Sequence, residues 1–82
     1  MKNSLKVERA RLGLTQAGLA EAVGVSRQSI NAIEKGRYVP STVLALKLAR
    51  VLRVRVEDLF ALEPGDGTVD VAQVDAAEES SR

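Results

Sequence analysis

The stretch VGVSRQSINAIEKG, residues 23–36, decides the fold of this chain. It joins two short helical patterns through a turn, and the hydroxyl of Ser26 at the end of that turn is placed to cap the second helix. If residues 27–35 are helical, Ile30 and Ile33 lie on one side and polar residues occupy the opposite side. The pattern therefore predicts a helix that two isoleucines anchor in a core while its polar face stays exposed.

The polar face of this helix has the chemistry that reads base edges in DNA. It carries Gln28, Asn31 and Lys35 beside the small Ala32, and Arg27 stands in the first turn. Amide side chains pair with N6 and N7 of adenine, and a guanidinium pairs with O6 and N7 of guanine. Two helices joined by a tight turn, with the second one exposed, form a helix-turn-helix. The stretch therefore predicts a helix that enters the major groove.

Four further helices are predicted around this one. They run from about Ser4 to Leu12, from Gln16 to Val23, from after Pro40 to Leu52, and from Val56 to Leu62. Thr15 and Ser41 are placed as N-caps of the second and fourth helices. Gly18 costs helix two about 1 kcal/mol relative to Ala and removes the capping-box partner of Thr15. Because Arg53 and Arg55 occupy the turn before helix five, that helix is expected to lack a side-chain cap.

Composition excludes several classes of function. The chain has 82 residues, which is enough for one small domain, and 45% of them are hydrophobic although only 2% are aromatic. It contains no Cys and no His, so the usual zinc sites and nucleophile–base pairs cannot be assembled. No apolar run has the length of a signal peptide or a membrane span. We expect a cytoplasmic protein without metal or cofactor that is not an enzyme.

Charge divides the chain into a basic body and an acidic tail. Residues 1–62 contain eleven of the twelve Lys and Arg and five of the eleven Asp and Glu, a net charge of +6, whereas residues 63–82 carry −5. The boundary falls at EPGDG, residues 63–67, where Pro and Gly end a helix. Alternation in TVDV, residues 68–71, is a weak signal for a short strand. We predict a domain over residues 1–62 whose partner is a polyanion, followed by a tail that could bind another protein.

Helix four carries more apolar residues than one buried stripe requires. The surplus positions are Val43, Leu44, Leu46 and Val51. A helix that is apolar on several sides is usually covered on several sides. A second copy of the chain would provide that cover, and helix five together with the tail is the alternative.

The motif as a whole resembles a known family. LTQAGLAEAVGVSRQSINAIEKGRYVPS, residues 14–41, is similar to the Xre/Cro, or lambda-repressor-like, regulators of bacteria and phages, and the similarity extends over about residues 4–62. The matching positions are Gln16, Ala20, Gly24, Ile30, Glu34, Gly36 and Pro40. The resemblance implies an all-α, five-helix domain that binds operator DNA as a homodimer.

The resemblance also assigns roles to individual residues. It places Arg27 and Gln28 at the base-contacting start of the recognition helix, with Asn31 and Ala32 one turn further on. It makes Gln16 an amide that clamps a phosphate. The turn after the recognition helix would rest on the DNA backbone through Lys35, Arg37 and Tyr38. Arg9 and Glu34 match an ion pair that stabilises the fold and does not contact DNA.

These observations favour a sequence-specific regulator of double-stranded DNA, most simply a repressor that binds an inverted-repeat operator as a homodimer. One alternative is the antitoxin of a toxin–antitoxin pair, in which the tail holds the toxin. Another is a protein-interaction module in which the acidic tail masks the basic face.

Overall fold

The computed structural model describes residues 1–67, and the fold is mostly helical, as predicted. The helices are α1 (Leu5–Arg11), α2 (Gln16–Val23), α3 (Arg27–Glu34), α4 (Thr42–Leu52) and α5 (Val56–Leu59); the strands are β1 (Lys2–Asn3) and β2 (Phe60–Ala61). A 3₁₀ turn follows at Pro64–Asp66. In this part of the chain no helix is long and apolar enough to span a bilayer. The predicted strand at residues 68–71 and the rest of the acidic tail lie outside the described residues.

The predicted N-caps are confirmed for the three central helices. The Thr15 hydroxyl accepts a hydrogen bond from the N–H of Gly18 at 2.9 Å, which closes the first turn of α2. The Ser26 and Ser41 hydroxyls accept in the same way from the third residues of α3 and α4, both at 3.1 Å. Each bond satisfies a backbone donor that has no partner inside its helix.

Aliphatic side chains from all five helices form the core. Its buried members are Leu5, Leu19, Ala20, Val23, Ile30, Ile33, Leu44, Leu48, Ala49, Leu52 and Leu59. The two isoleucines predicted to anchor α3 are 0% and 1% exposed. They hold α3 against its neighbours, so the opposite face of α3 remains at the surface.

Helix five is shorter than predicted, and a pair of strands replaces its end. The helix ends at Leu59 and not at Leu62, because Phe60 takes an extended conformation with φ −125° and ψ 140°. Phe60 and Ala61 then pair antiparallel with Asn3 and Lys2. The prediction of an uninterrupted fifth helix was therefore wrong by its last turn.

The turn before α5 contains one residue in an unfavourable backbone conformation. Arg53 follows α4 with φ 59° and ψ 41°, in the left-handed region that favours glycine. Arg55 precedes α5 and makes no side-chain cap, as the sequence predicts.

Only part of the apolar surplus on α4 reaches the surface. Val43 is 63% exposed and Leu46 is 54% exposed. Leu44 is 7% exposed and belongs to the core, and Val51 is half-buried against it, so these two residues do not extend the apolar surface. The expectation that all four were surplus is corrected accordingly.

The first residues after position 62 fold back onto the start of the chain. The Met1 ammonium group lies 2.8 Å from Asp66 Oδ2 and 3.2 Å from Glu63 Oε1. These contacts raise the pKa of the ammonium group, with the Asp66 hydrogen bond as the main cause. Two acidic residues predicted for the tail thus contact the N-terminus.

Candidate nucleic-acid interface

The turn between α2 and α3 determines which face of α3 is presented. Gly24 ends α2 with φ 78°, a conformation that glycine adopts without a Cβ penalty, and its N–H donates to the carbonyl of Ala20 at 2.9 Å. Two residues later Ser26 caps α3. Because both helix ends are satisfied locally, α3 leaves the turn in one defined direction, with Arg27 and Gln28 at its start.

The structure brings most of the predicted site residues to one surface of α3. Arg27 and Gln28 in the first turn are exposed, and Asn31 and Ala32 one turn later are half-buried. Residues three and four apart on a helix share a face, so Gln28 and Asn31 are neighbours on it, and Lys35 extends the same line. Lys35 is exposed and stands at the C-cap position, since the helix itself ends at Glu34.

The segment after α3 carries an exposed cation and an exposed phenol close to the end of that helix. Arg37 is exposed and Tyr38 is 44% exposed. Within residues 1–67, the ion pairs do not include Arg27, Lys35 or Arg37. Three cations near the exposed face of α3 are therefore available to an anionic partner.

Arg9 and Glu34 form the predicted ion pair that joins α1 to α3. Arg9 donates from Nε to Glu34 Oε2 at 2.8 Å and from Nη2 to Oε1 at 3.3 Å. It also donates from Nη1 to the carbonyl oxygen of Leu14 at 2.9 Å. The Glu34 side chain is only 6% exposed and that of Arg9 is 16% exposed. The pair is thus largely withdrawn from solvent beneath the candidate interface.

The environment keeps Glu34 ionised. Burial raises the pKa of its carboxyl, but hydrogen bonds from Arg9 and Gln16, with the charges of Arg9 and Lys6, outweigh burial and hold that pKa below its ordinary value. A carboxylate in this state accepts hydrogen bonds and cannot donate one.

Gln16 has protein partners that sequence reasoning did not predict. Its Nε2 atom donates to Glu34 Oε1 at 3.1 Å and to Asn31 Oδ1 at 3.2 Å. Asn31 and Glu34 are three residues apart and share a side of α3, so the sequence brings these two acceptors together but does not indicate that Gln16 of α2 contacts them. The phosphate contact expected of Gln16 stays a prediction, and the first backbone N–H groups of α2, which have no intrahelical partner, lie beside it.

A second surface is apolar. Val39, Val43 and Leu46 are exposed by 60%, 63% and 54%. A cleft beside them is lined by Val39, Leu46, Val56 and Phe60 among others. Exposed aliphatic side chains that lie together commonly mark a contact with another protein.

Comparisons with known sequences agree with this geometry. A family model described as helix-turn-helix matches residues 5–59. The HTH-type transcriptional regulator YgzD of Bacillus subtilis is 54% identical over 63 residues, which cover 77% of this chain and 96% of that protein. The HTH-type transcriptional regulator MJ0272 of Methanocaldococcus jannaschii is 56% identical over 63 residues, with the same coverage.

Two solved structures share the fold. The restriction-modification controller protein C.AhdI from Aeromonas hydrophila matches with a TM-score of 0.64 and 36% identity, over 68% of this chain and 85% of that one. The SOS-response transcriptional repressor LexA from Eubacterium rectale matches with a TM-score of 0.64 and 26% identity, over 88% of this chain and 74% of that one.

Proposed function

The chain belongs to the helix-turn-helix family of DNA-binding transcriptional regulators, and from that premise we propose that it represses transcription by binding an inverted-repeat operator as a homodimer. The observation that carries the proposal is the exposed first turn of α3, where Arg27 and Gln28 project from a helix that Ile30 and Ile33 fix in the core. A rigid helix with an exposed polar edge suits the major groove.

In this proposal the two ends of α3 have different tasks. Arg27 and Gln28 contact base edges, and Asn31 and Ala32 follow one turn deeper along the groove. Lys35, Arg37 and Tyr38 lie against the sugar-phosphate backbone. Phosphate contacts fix the register of the protein on the duplex, whereas base contacts select the sequence.

Dimerisation through the apolar surface of Val39, Val43 and Leu46 would present two copies of α3 to one duplex. Recognition helices of such dimers enter successive major grooves, about 34 Å or 10 base pairs apart. The operator is therefore an inverted repeat with that spacing between half-site centres. The names of the two structural relatives, a controller protein and a repressor, support a regulatory role of this kind.

Selection from a pool of randomised duplexes at moderate salt tests the proposal. We expect enrichment of an inverted repeat, two chains bound per duplex, and a loss of transcription when the selected sequence overlaps a promoter in a purified system. Enrichment of no sequence would contradict the proposed function. A single half-site bound by one chain would contradict the dimer, and unchanged or increased transcription would contradict repression.

A further inference from the structure

Four side chains connect α1 to the outer face of α3 in an unbroken series of hydrogen bonds. Arg9 donates to Glu34, Glu34 accepts from Gln16, and Gln16 also donates to Asn31. At the α1 end of the series, the side chains of Arg9 and Glu34 are largely buried, with 16% and 6% of their surfaces exposed. Reversing the Gln16 amide would turn its oxygen toward the Glu34 carboxylate, and reversing the Asn31 amide would set two N–H donors opposite each other, so both reversals are unfavourable.

The ionised Glu34 carboxylate determines which atom donates in each hydrogen bond of the series. The ionised Glu34 carboxylate only accepts, so the Gln16 atom 3.1 Å from it is the amide nitrogen. That same nitrogen lies 3.2 Å from Asn31, so the Asn31 atom facing it is the oxygen Oδ1. In the unbound chain both hydrogens of the Gln16 amide nitrogen are thus directed at protein oxygens, and the Asn31 amide turns its oxygen toward Gln16. A phosphate contact of Gln16 would require one of these two hydrogen bonds to be given up or shared.

The other arm of the Asn31 amide is free and accessible. Within residues 1–67 its Nδ2 atom donates to no protein group, and no buried polar side-chain atom there lacks a partner. Nδ2 is therefore not sealed from solvent, and the spacing of the helix puts Asn31 on the face of α3 that also carries Gln28.

We propose that Gln16 is a positioning residue that makes Asn31 a hydrogen-bond donor toward DNA and thereby selects guanine at one base pair. This inference rests on the proposed function. An unrestrained asparagine pairs with adenine by accepting from N6 and donating to N7. With Oδ1 engaged by Gln16, the Nδ2 donor is the unpaired arm of the amide. Both purines present N7 to such a donor, but guanine has a second acceptor, O6, beside N7, whereas adenine has the N6 donor there.

Selection from randomised duplexes by wild type, Asn31→Ala and Gln16→Met tests the inference. The base pair at which Asn31→Ala loses its preference identifies the Asn31 position. Wild type should enrich guanine over adenine there. Gln16→Met keeps a similar volume but donates no hydrogen bond, so Asn31 can turn, and we expect the guanine-to-adenine ratio to fall about tenfold, as for the loss of about one hydrogen bond.

Gln28→Ala is the matched control, since it removes an amide from the same face without touching the series. It should change the preference at a different base pair and leave the guanine-to-adenine ratio at the Asn31 position unchanged. If Gln16→Met proves unfolded by circular dichroism, Asn31→Asp replaces it. That variant still accepts from Gln16 but offers the groove an acceptor, so guanine should give way to a base with an exposed amino group.

Each outcome decides the inference. Adenine enriched by wild type at the Asn31 position would overturn it, as would equal weakening of Gln16→Met on all sequences, which would mark Gln16 as a phosphate contact alone. Retention of guanine by folded Gln16→Met, or by Asn31→Asp, would also overturn it. Wild type that enriches no sequence at all contradicts the proposed function instead, so the two failures are distinguishable.

Discussion

Arg9 on α1 and Glu34 on α3 meet through two hydrogen bonds, at 2.8 and 3.3 Å, although 25 positions separate them in the chain. The pair joins the first helix to the last turn of the helix that faces the proposed DNA. Because Glu34 Oε1 also accepts from Gln16 on α2, three helices share one carboxylate. The ion pair therefore influences both the stability of the domain and the arrangement of polar groups at its interface.

Arg9→Met should destabilise the domain by about 2 to 3 kcal/mol, because removing one partner leaves the Glu34 carboxylate buried without its counter-charge. Urea unfolding followed by circular dichroism measures the change. Arg55→Met is the control, since the Arg55–Glu57 pair is exposed on both sides and should have no measurable effect. Equal effects of the two substitutions would show that burial does not matter here.

Stability should fall on the acid side because of Glu34. The pKa of the Glu34 carboxyl in the folded chain lies below the ordinary value of 4.5, so the unfolded chain binds the proton more readily than the folded chain. The free energy of unfolding therefore falls as the pH drops. The contribution is complete above the ordinary pKa and is lost as pH falls through the lowered one. The difference in unfolding free energy between wild type and Glu34→Gln should be largest near neutrality and should shrink toward pH 3. Urea unfolding at a series of pH values measures this difference. A difference that stays constant with pH would contradict the ionised pair.

Local sequence determined the parts of this fold that were predicted. Ser26 acts within one turn of its own position, and the spacing of Ile30 and Ile33 alone indicates a buried face. The pairing of Asn3 with Phe60 joins residues 57 positions apart, and no short-range pattern predicts it. Burial of Leu44 likewise depends on the neighbours that α4 receives from α2.

The candidate site divides in the same way. Exposure of Arg27 and Gln28 follows from the period of α3, so the sequence predicts it correctly. The Gln16–Asn31 contact requires α2 and α3 to be placed at a defined distance, which only the folded chain provides. Chemistry at a helix surface is thus readable from sequence, whereas its orientation by a neighbouring helix is not.

Arg53→Gly should stabilise the domain by about 0.5 to 1 kcal/mol, because position 53 has φ 59° and a side chain is strained there. Arg50→Gly is the matched control within α4. There the same replacement should destabilise by about 1 kcal/mol, since glycine is unfavourable inside a helix. Thermal and urea unfolding measure both changes. Effects of the same sign would contradict the left-handed backbone at Arg53.

Gln28→Ala and Arg37→Ala should have different effects on DNA binding. The first removes a base contact, so it should cost about 1 to 3 kcal/mol of discrimination at one base pair. The second removes a phosphate contact, so it should weaken selected and random duplexes by the same factor and reduce the slope of log affinity against log salt by about 0.9. Binding isotherms over a salt series measure both quantities. An unchanged slope for Arg37→Ala would remove Arg37 from the phosphate contacts.

Leu46→Glu should convert a dimer into a folded monomer. Leu46 is 54% exposed in the single chain, so a charge there costs the monomer little, whereas it would be buried against the partner in the proposed dimer. Sedimentation equilibrium measures the mass, and circular dichroism verifies that helices are retained. Loss of the partner subunit should also weaken binding to the selected inverted repeat far more than binding to a single half-site.

Val7→Glu provides the control for this substitution. Val7 on α1 is 66% exposed and lies outside the apolar surface of Val39, Val43 and Leu46, so the same change of charge should leave the mass and the DNA affinity of the dimer unaltered. A dimeric Leu46→Glu variant with wild-type operator affinity would place the interface elsewhere on the domain. A monomeric wild type would contradict a second copy as the cover of this face; α5, the other cover considered for helix four together with the tail, leaves Val43 and Leu46 exposed in the single chain.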